Sequence, residues 1–190
     1  NILDFNNLTK ENIYVLNSPI LTNNQFEKFV SFFDKNNKTI DCTFNSDEDI
    51  ESKLNSIKQE AEIYVRQGVT QIILSDKNVS KENYPVPMLL CIGAVHTHLT
   101  KMKLRGYVSI NVQTGEALDT HSFATILGVG ATTINPYLAL DSLNQRYEKK
   151  LFGNFQLEEC IERYIKSVNF GLLKIMSKMG ISVLSSYRGG

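Results

Sequence analysis

The chain has 190 residues, 42% of them apolar, and 20 lysines and arginines balance 20 aspartates and glutamates to a formal charge of zero. That length supports one substantial core, and the balanced charge argues against a nucleic-acid surface, which needs a basic excess to neutralise phosphates. No apolar run is long enough to cross a bilayer. The three cysteines, Cys42, Cys91 and Cys160, lie far apart with no C-x-x-C pair, so they read as reduced thiols of a cytoplasm-like compartment. A start at Asn1 and a stop at Arg188-Gly189-Gly190, just after a predicted strand, are what a fragment of a longer chain would show.

In chain order, residues 1–16 are polar and irregular, with Ile2, Leu3, Phe5, Ile13 and Val15 as apolar anchors. Residues 18–21 form an extended entry. Thr22 and Gln25 make a capping-box pattern, opening a short helix striped with Phe26, Phe29, Val30 and Phe33. Residues 39–44 alternate as a strand does. Ser46 with Asp49 reads as a second capping box, opening a helix to Gln67. Its apolar positions Ile50, Leu54, Ile57, Ala61 and Val65 share one face, flanked by the favourable pairs Asp49/Lys53 and Glu62/Arg66.

Gly68 ends that helix, and residues 69–74 read as a strand buried on both faces. After a polar loop through Pro85, Pro87 starts a helix whose first turns (Met88 to Ile92) are apolar all round, hence buried. Lys101, Lys103 and Arg105 suit its carboxyl-terminal dipole. Residues 106–140 read as strand, turn, helix, strand, helix. In that unit Gly128 stands at the helix end and Asn135-Pro136 as N-cap and first helical residue. Residues 144–155 are a charged connection. Leu157 to Met179 form a helical stripe that Gly171 is placed to bend or split, with Met176 and Met179 in the core. Gly180 then leads to a last strand at 181–184.

A helix, a glycine and a short apolar strand recur at Gly68, Gly106, Gly130 and Gly180. About five strands and five or six helices, mainly β then α, predict a mainly parallel sheet with outer helices. A closed eight-unit barrel needs about 250 residues, so the expected fold is an incomplete, barrel-like α/β layer. Residues 1–38 would be an entry segment with a short helix, and 39–190 the repeated βα units.

In such folds functional groups gather at the carboxyl ends of strands. Those positions hold Ser75-Asp76, Gln113 to Glu116, Asn135 and Ser185-Ser186, with Asp76, Glu116, His121 and Asn135 the candidate site residues. Asp76 and Glu116 fit a carboxylate pair, and equally fit the capping of turns and following helices. His96, His98 and His121 with Glu116 invite a metal reading. However, His96 and His98 are two apart on a helix and face different ways. Gly128 and Gly130 follow a helix and precede a strand, the reverse of the order that sets a phosphate on a helix N-terminus. No G-x-S-x-G, P-loop or Cys/His nucleophile pairing is present.

Several runs together resemble one family: SPILTN (18–23), QGVTQIILSD (67–76), GAVHTHL (93–99), TGEALDTHSFATILGVGATTINPYLAL (114–140) and YIKSVNFGLLKIMSKMGISVLSSYRG (164–189). They are similar, in order and over most of the chain, to the central domain of the glutamate synthase large subunit, joined partway in. The resemblance implies a parent enzyme that makes glutamate from glutamine and 2-oxoglutarate with NAD(P)H or ferredoxin electrons. It also implies a cysteine amidotransferase domain and an FMN- and iron–sulfur-bearing synthase domain in the same polypeptide, with an NAD(P)H-oxidising small subunit or ferredoxin as partner. This segment would join the two domains as a rudimentary version of the FMN barrel, with no catalytic residue, cofactor or metal of its own. The implied compartment is the cytoplasm or a plastid. Thr97 and Ser122 replace histidines frequent in the family, and Gln113 replaces a glutamate. The alternative is a free-standing α/β enzyme or binding module that uses Asp76, Glu116, Asn135 and His121.

Overall fold

The computed structural model describes residues 14–190. The anchors Ile2, Leu3, Phe5 and Ile13 lie outside them, and Val15 is exposed. Six strands and seven α-helices lie among the described residues, with two short 3-10 turns. The helices are α1 (Asn23–Phe33), α2 (Ile50–Arg66), α3 (Met88–Lys101), α4 (Thr120–Val129), α5 (Tyr137–Glu148), α6 (Leu157–Lys178) and α7 (Leu184–Tyr187). The strands are β1 (Asn37–Asp41), β2 (Thr43–Asn45), β3 (Gln71–Ser75), β4 (Asn83–Pro85), β5 (Ser109–Gln113) and β6 (Thr133–Asn135).

Four strands form a parallel sheet in the order β1-β3-β5-β6. Three consecutive crossovers, through α2, α3 and α4, link them, since parallel neighbours cannot be joined by tight turns. The entry segment supplies a fifth parallel position: Ile20 bridges Ile134, the Leu21 N–H donates to the Ile134 carbonyl, and the Ile134 N–H donates to Pro19, both at 2.8 Å. The sheet stays open, as its length required.

Side chains alternate across each strand, so the two faces bury different things. Ile72, Leu74, Ile110, Val112 and Ile134 face α2, α3, α4 and α6 in the main apolar core. Ile73 points the other way and meets Leu21, Phe26 and Phe29 under α1. The rest of that second face is polar. Asn111 donates to Gln71 at 3.0 Å and accepts from Thr133 at 2.8 Å, and all three lie on the side that a closed barrel would turn inward.

Local signals explain most of the elements. The Thr22/Gln25 capping box forms as predicted, with the two reciprocal bonds at 3.0 and 3.2 Å. The Glu62/Arg66 pair closes at 2.7 Å, and Glu62 also holds His98 at 2.6 Å, tying α2 to α3. The hydrogen bonds from Arg66 first and His98 second hold the Glu62 carboxyl below its ordinary range. The 22-residue α6 is unbroken at Gly171, where a Cβ would lie 2.5 Å from Thr120 Cγ2, so the glycine sets the approach of α4 to α6.

Several expectations need correction, each for a local reason. Asp49, not Ser46, caps α2 by accepting from the Ser52 N–H. The 39–44 run breaks at Cys42, whose N–H bonds Ser75 while its carbonyl accepts from Val86. The ladder thus passes from β3 to the antiparallel β2/β4 pair, whose second strand sits in the supposed loop. In α3, Leu89 and Leu90 are exposed and only Met88, Cys91 and Ile92 of the first turns are buried. Helix α4 runs past Gly128 to Gly130, which has φ +141° and where a Cβ would lie 2.7 Å from His96 Nδ1. Helix α5 extends to Glu148, into the supposed connection. Met176 is buried, but Met179 is exposed. Residues 181–184 form no strand: the place beside β6 is already filled by residues 19–21, and the chain turns into α7, which rests Tyr187 on Gly128.

Candidate functional site

The sheet register places Ser75, Gln113 and Asn135 side by side at the carboxyl ends of β3, β5 and β6. Their side chains form one line. Ser75 Oγ donates to Gln113 Oε1 at 2.9 Å, and Gln113 Nε2 donates to Asn135 Oδ1 at 3.1 Å. Asn135 Nδ2 then donates to the Leu21 carbonyl at 3.1 Å and to Asn23 Oδ1 at 3.0 Å. Asn135 is therefore a strand residue that fastens the entry segment and α1 to the sheet, not the expected helix cap. Pro136 takes the cap position of α5 without a side-chain bond. Gln113 and Asn135 also border a cavity of about 400 Å³ beneath α1.

Asp76, buried just beyond β3, holds the loop after β5. It accepts from Thr114 Oγ1 at 2.5 Å and from the Gly115 N–H at 3.1 Å. Thr114 Oγ1 in turn accepts from the Glu116 N–H at 3.1 Å. The Glu116 carboxylate reaches across to the Met88 N–H at 3.0 Å, the first residue of α3, where Pro87 offers no side-chain cap. A carboxylate there satisfies an orphan donor and complements the helix dipole. Partial desolvation raises the Glu116 carboxyl above its ordinary range, with the charge of Asp76 adding to the push against the Met88 N–H. Tyr137 beside Asp76 is raised too, chiefly by burial and then by that carboxylate.

Three of the four candidates, Asp76, Glu116 and Asn135, thus meet at one edge of the sheet, each engaged in bonds that order loops and helix ends. His121 stands in the first turn of α4, exposed, and its ring makes no hydrogen bond to the other three. Ser185 and Ser186 fall in α7 instead of at a strand end. His98 belongs to Glu62, and His96 Nδ1 accepts from Arg105 Nε at 3.1 Å, so the two histidines face different partners as their spacing required. Among the described residues no three His, Cys, Asp or Glu side chains are placed to share a metal ion.

One cluster escaped the sequence reading. Arg105, assigned there to the dipole of α3, folds under the amino ends of β5 and β6, donating to the Val108 carbonyl at 2.5 Å and the Gly130 carbonyl at 2.9 Å. Arg188 joins it from the far end of the chain through Thr132 Oγ1 at 3.2 Å. Burial first, then Arg188, lowers Arg105 to about 10. His96 is lowered by burial, by Arg105 and by Arg188. A base with a lowered folded pKa contributes stability that is complete above the unfolded value, about 6.5. That stability declines as pH falls through 6.5 toward the folded pKa. Urea midpoints of the native chain should therefore drop below pH 6.5, and His96→Gln, which can still accept from Arg105, should flatten that limb. Parallel pH profiles for the two chains would sink the assignment.

Fold and strand ends together define an open parallel α/β layer of the TIM-barrel kind. Its likeness to DHODH of Eimeria tenella, solved in complex with ferulenol, agrees. The TM-score is 0.52 at 13% identity, covering 80% of this chain and 37% of that one, which speaks for the fold alone. The family model of the glutamate synthase central domain matches residues 1–190, and the chain belongs to that family. It is 46% identical over 193 residues to the glutamate synthase [NADPH] large chain of Azospirillum brasilense, covering 100% of this chain and 13% of that one. The Bacillus subtilis large chain is 42% identical over 92% of this chain and 11% of its own length. The chloroplastic ferredoxin-dependent enzyme of Spinacia oleracea is 37% identical over 92% and 12%. The chain therefore spans little more than a tenth of the curated relatives it matches. No helix among the described residues is long and apolar enough to cross a membrane.

The cluster implied by the family does not suit these residues, and the N-terminus of α3 does not suit a flavin phosphate. An iron–sulfur cluster is held by cysteine thiolates, commonly four, whereas Cys42 and Cys91 form a buried pair of thiols, Cys160 is buried too, and among the described residues no set of three ligand groups forms around any of them. A flavin phosphate favours a free helix N-terminus. The N-terminus of α3 already holds the Glu116 carboxylate, and Asp76 adds a second carboxylate to the same edge.

Proposed function

We propose that this chain is a non-catalytic, domain-joining segment of a glutamate synthase large chain, with 1–38 as entry segment and 39–190 as the repeated βα layer. The parent would make L-glutamate from L-glutamine and 2-oxoglutarate with electrons from NAD(P)H or ferredoxin. Its amidotransferase domain and its FMN- and iron–sulfur-bearing synthase domain would lie in the same polypeptide. The cytoplasm, or a plastid as in the plant relatives, would be its compartment. The family match over the whole chain carries this reading. The strand-end geometry supports it, because Asp76, Glu116 and Asn135 each hold another segment in place instead of facing a shared reacting point.

Purified chain mixed with excess FMN and desalted should carry no flavin absorbance. Stoichiometric retained FMN would overturn the joining role and return the strand-end residues to the position of active-site candidates.

A further inference from the structure

We propose that Arg188, Arg105 and His96 form a receptor for a carboxylate supplied from outside the chain. The cluster lies at the amino ends of β5 and β6, on the opposite edge of the sheet from Asp76 and Glu116. Arg105 reaches the Gly130 carbonyl at 2.9 Å and Arg188 reaches Thr132 Oγ1 at 3.2 Å, so two guanidinium groups converge on residues two apart. His96 closes the third side, and only because Gly130 has no Cβ can its ring come so near.

Among the described residues no carboxylate pairs with either arginine: every ion pair there belongs to Glu62 or Glu159. Taking a guanidinium out of water without a counter-charge costs several kcal/mol unless its donors find acceptors. Arg105 meets that cost with two backbone carbonyls and the imidazole. Arg188 does not, because its Nε is buried with no partner among the described residues. The Nε edge of a guanidinium is a two-donor fork that matches the two oxygens of a carboxylate. The imidazole accepts at Nδ1 from Arg105, which leaves the proton on Nε2 and adds no acceptor for Arg188. Arg105, Arg188 and His96 are each only half-buried, so an anion can reach the cluster from solvent, and it meets the buried Arg188 Nε when that side chain turns outward from Thr132. One anion would neutralise the repulsion between the two arginines and complete the bonding of Arg188.

The test follows the thermal midpoint of the 190-residue chain at pH 7.5 and constant ionic strength while sodium acetate or sodium succinate is titrated. The midpoint should rise with the logarithm of ligand concentration, by roughly 5–10 °C at one hundred times the dissociation constant. Arg188→Gln, whose loss touches only Thr132, should abolish the rise. Arg188→Lys keeps the charge without the fork and should weaken binding at least about tenfold. A dissociation constant for succinate tenfold or more below that for acetate marks a free acid as the ligand, and similar constants mark a side-chain carboxylate of another protein segment. No rise with either salt, or an undiminished rise in both variants, overturns the receptor.

Discussion

Phe123→Ala should lower the unfolding free energy by about 3–5 kcal/mol, the usual cost of emptying a fully buried phenylalanine site. Phe123 is 0% exposed on α4, inside the core shared by the sheet, α3 and α6. Its ring meets Tyr164 of α6 edge-on at 6.4 Å, and the Tyr164 hydroxyl donates to the Leu118 carbonyl at the start of the α4 loop. Deleting the ring removes transfer energy and also the support that lines up α6 behind α4. The gap cannot close easily, because Gly171 already brings the two helices to contact at Thr120. The thermal midpoint should fall by roughly 6–20 °C for a chain of this size. An unfolding free energy from urea melts lowered by less than about 1 kcal/mol, at unchanged slope, would show that the α4–α6 contact is not what holds this layer together.

That contact also shows what was legible in the sequence. Phe123, Ile126 and Leu127 recur at helical spacing, and Val168, Leu172 and Met176 do so on α6, so burial of both stripes could be read directly. Strands β3, β5 and β6 announced themselves as short apolar runs that each follow a glycine. What composition could not show is partnership at a distance. The run at 181–184 has strand composition, but the sheet position it would need belongs to residues 19–21, some 160 residues earlier, and local pattern carries no word of that competition. Leu89 and Leu90 read as core for the same reason, since their exposure depends on which neighbours fail to cover them.

The site follows the same division. Strand-end placement of Asp76, Glu116 and Asn135 follows from the β-then-α order, and their convergence was therefore readable. His121 falls beyond the loop after β5, in the first turn of α4, and outside the network. The donors each carboxylate would meet depend on a loop folding back over three strands. The Arg105–Arg188 cluster joins residues 83 positions apart and offered only one signal, a charged residue next to a glycine before an apolar run, which fits a helix end equally well.

Asp76→Ala should cost about 2–4 kcal/mol, because it strips two hydrogen bonds to a charged acceptor and leaves the Thr114 hydroxyl and Gly115 N–H without it in a buried loop. The loss should spread further than its own contacts. Thr114 Oγ1 orients the Glu116 N–H, and the Glu116 carboxylate caps α3 at Met88, so Asp76 acts on α3 through two intermediates. Glu116→Ala alone should cost about 0.5–2 kcal/mol as a lost cap. The double variant should cost less than the sum of the two single costs by at least about 0.5 kcal/mol, since either change already frees the same loop. Strict additivity would break the proposed relay. A gain in stability from Asp76→Ala would say something larger. Buried carboxylates that are held apart for chemistry destabilise their fold, and removing one relieves it. Carboxylates that order loops and helix ends behave in the opposite way, so the sign of this single change separates a joining layer from an active site.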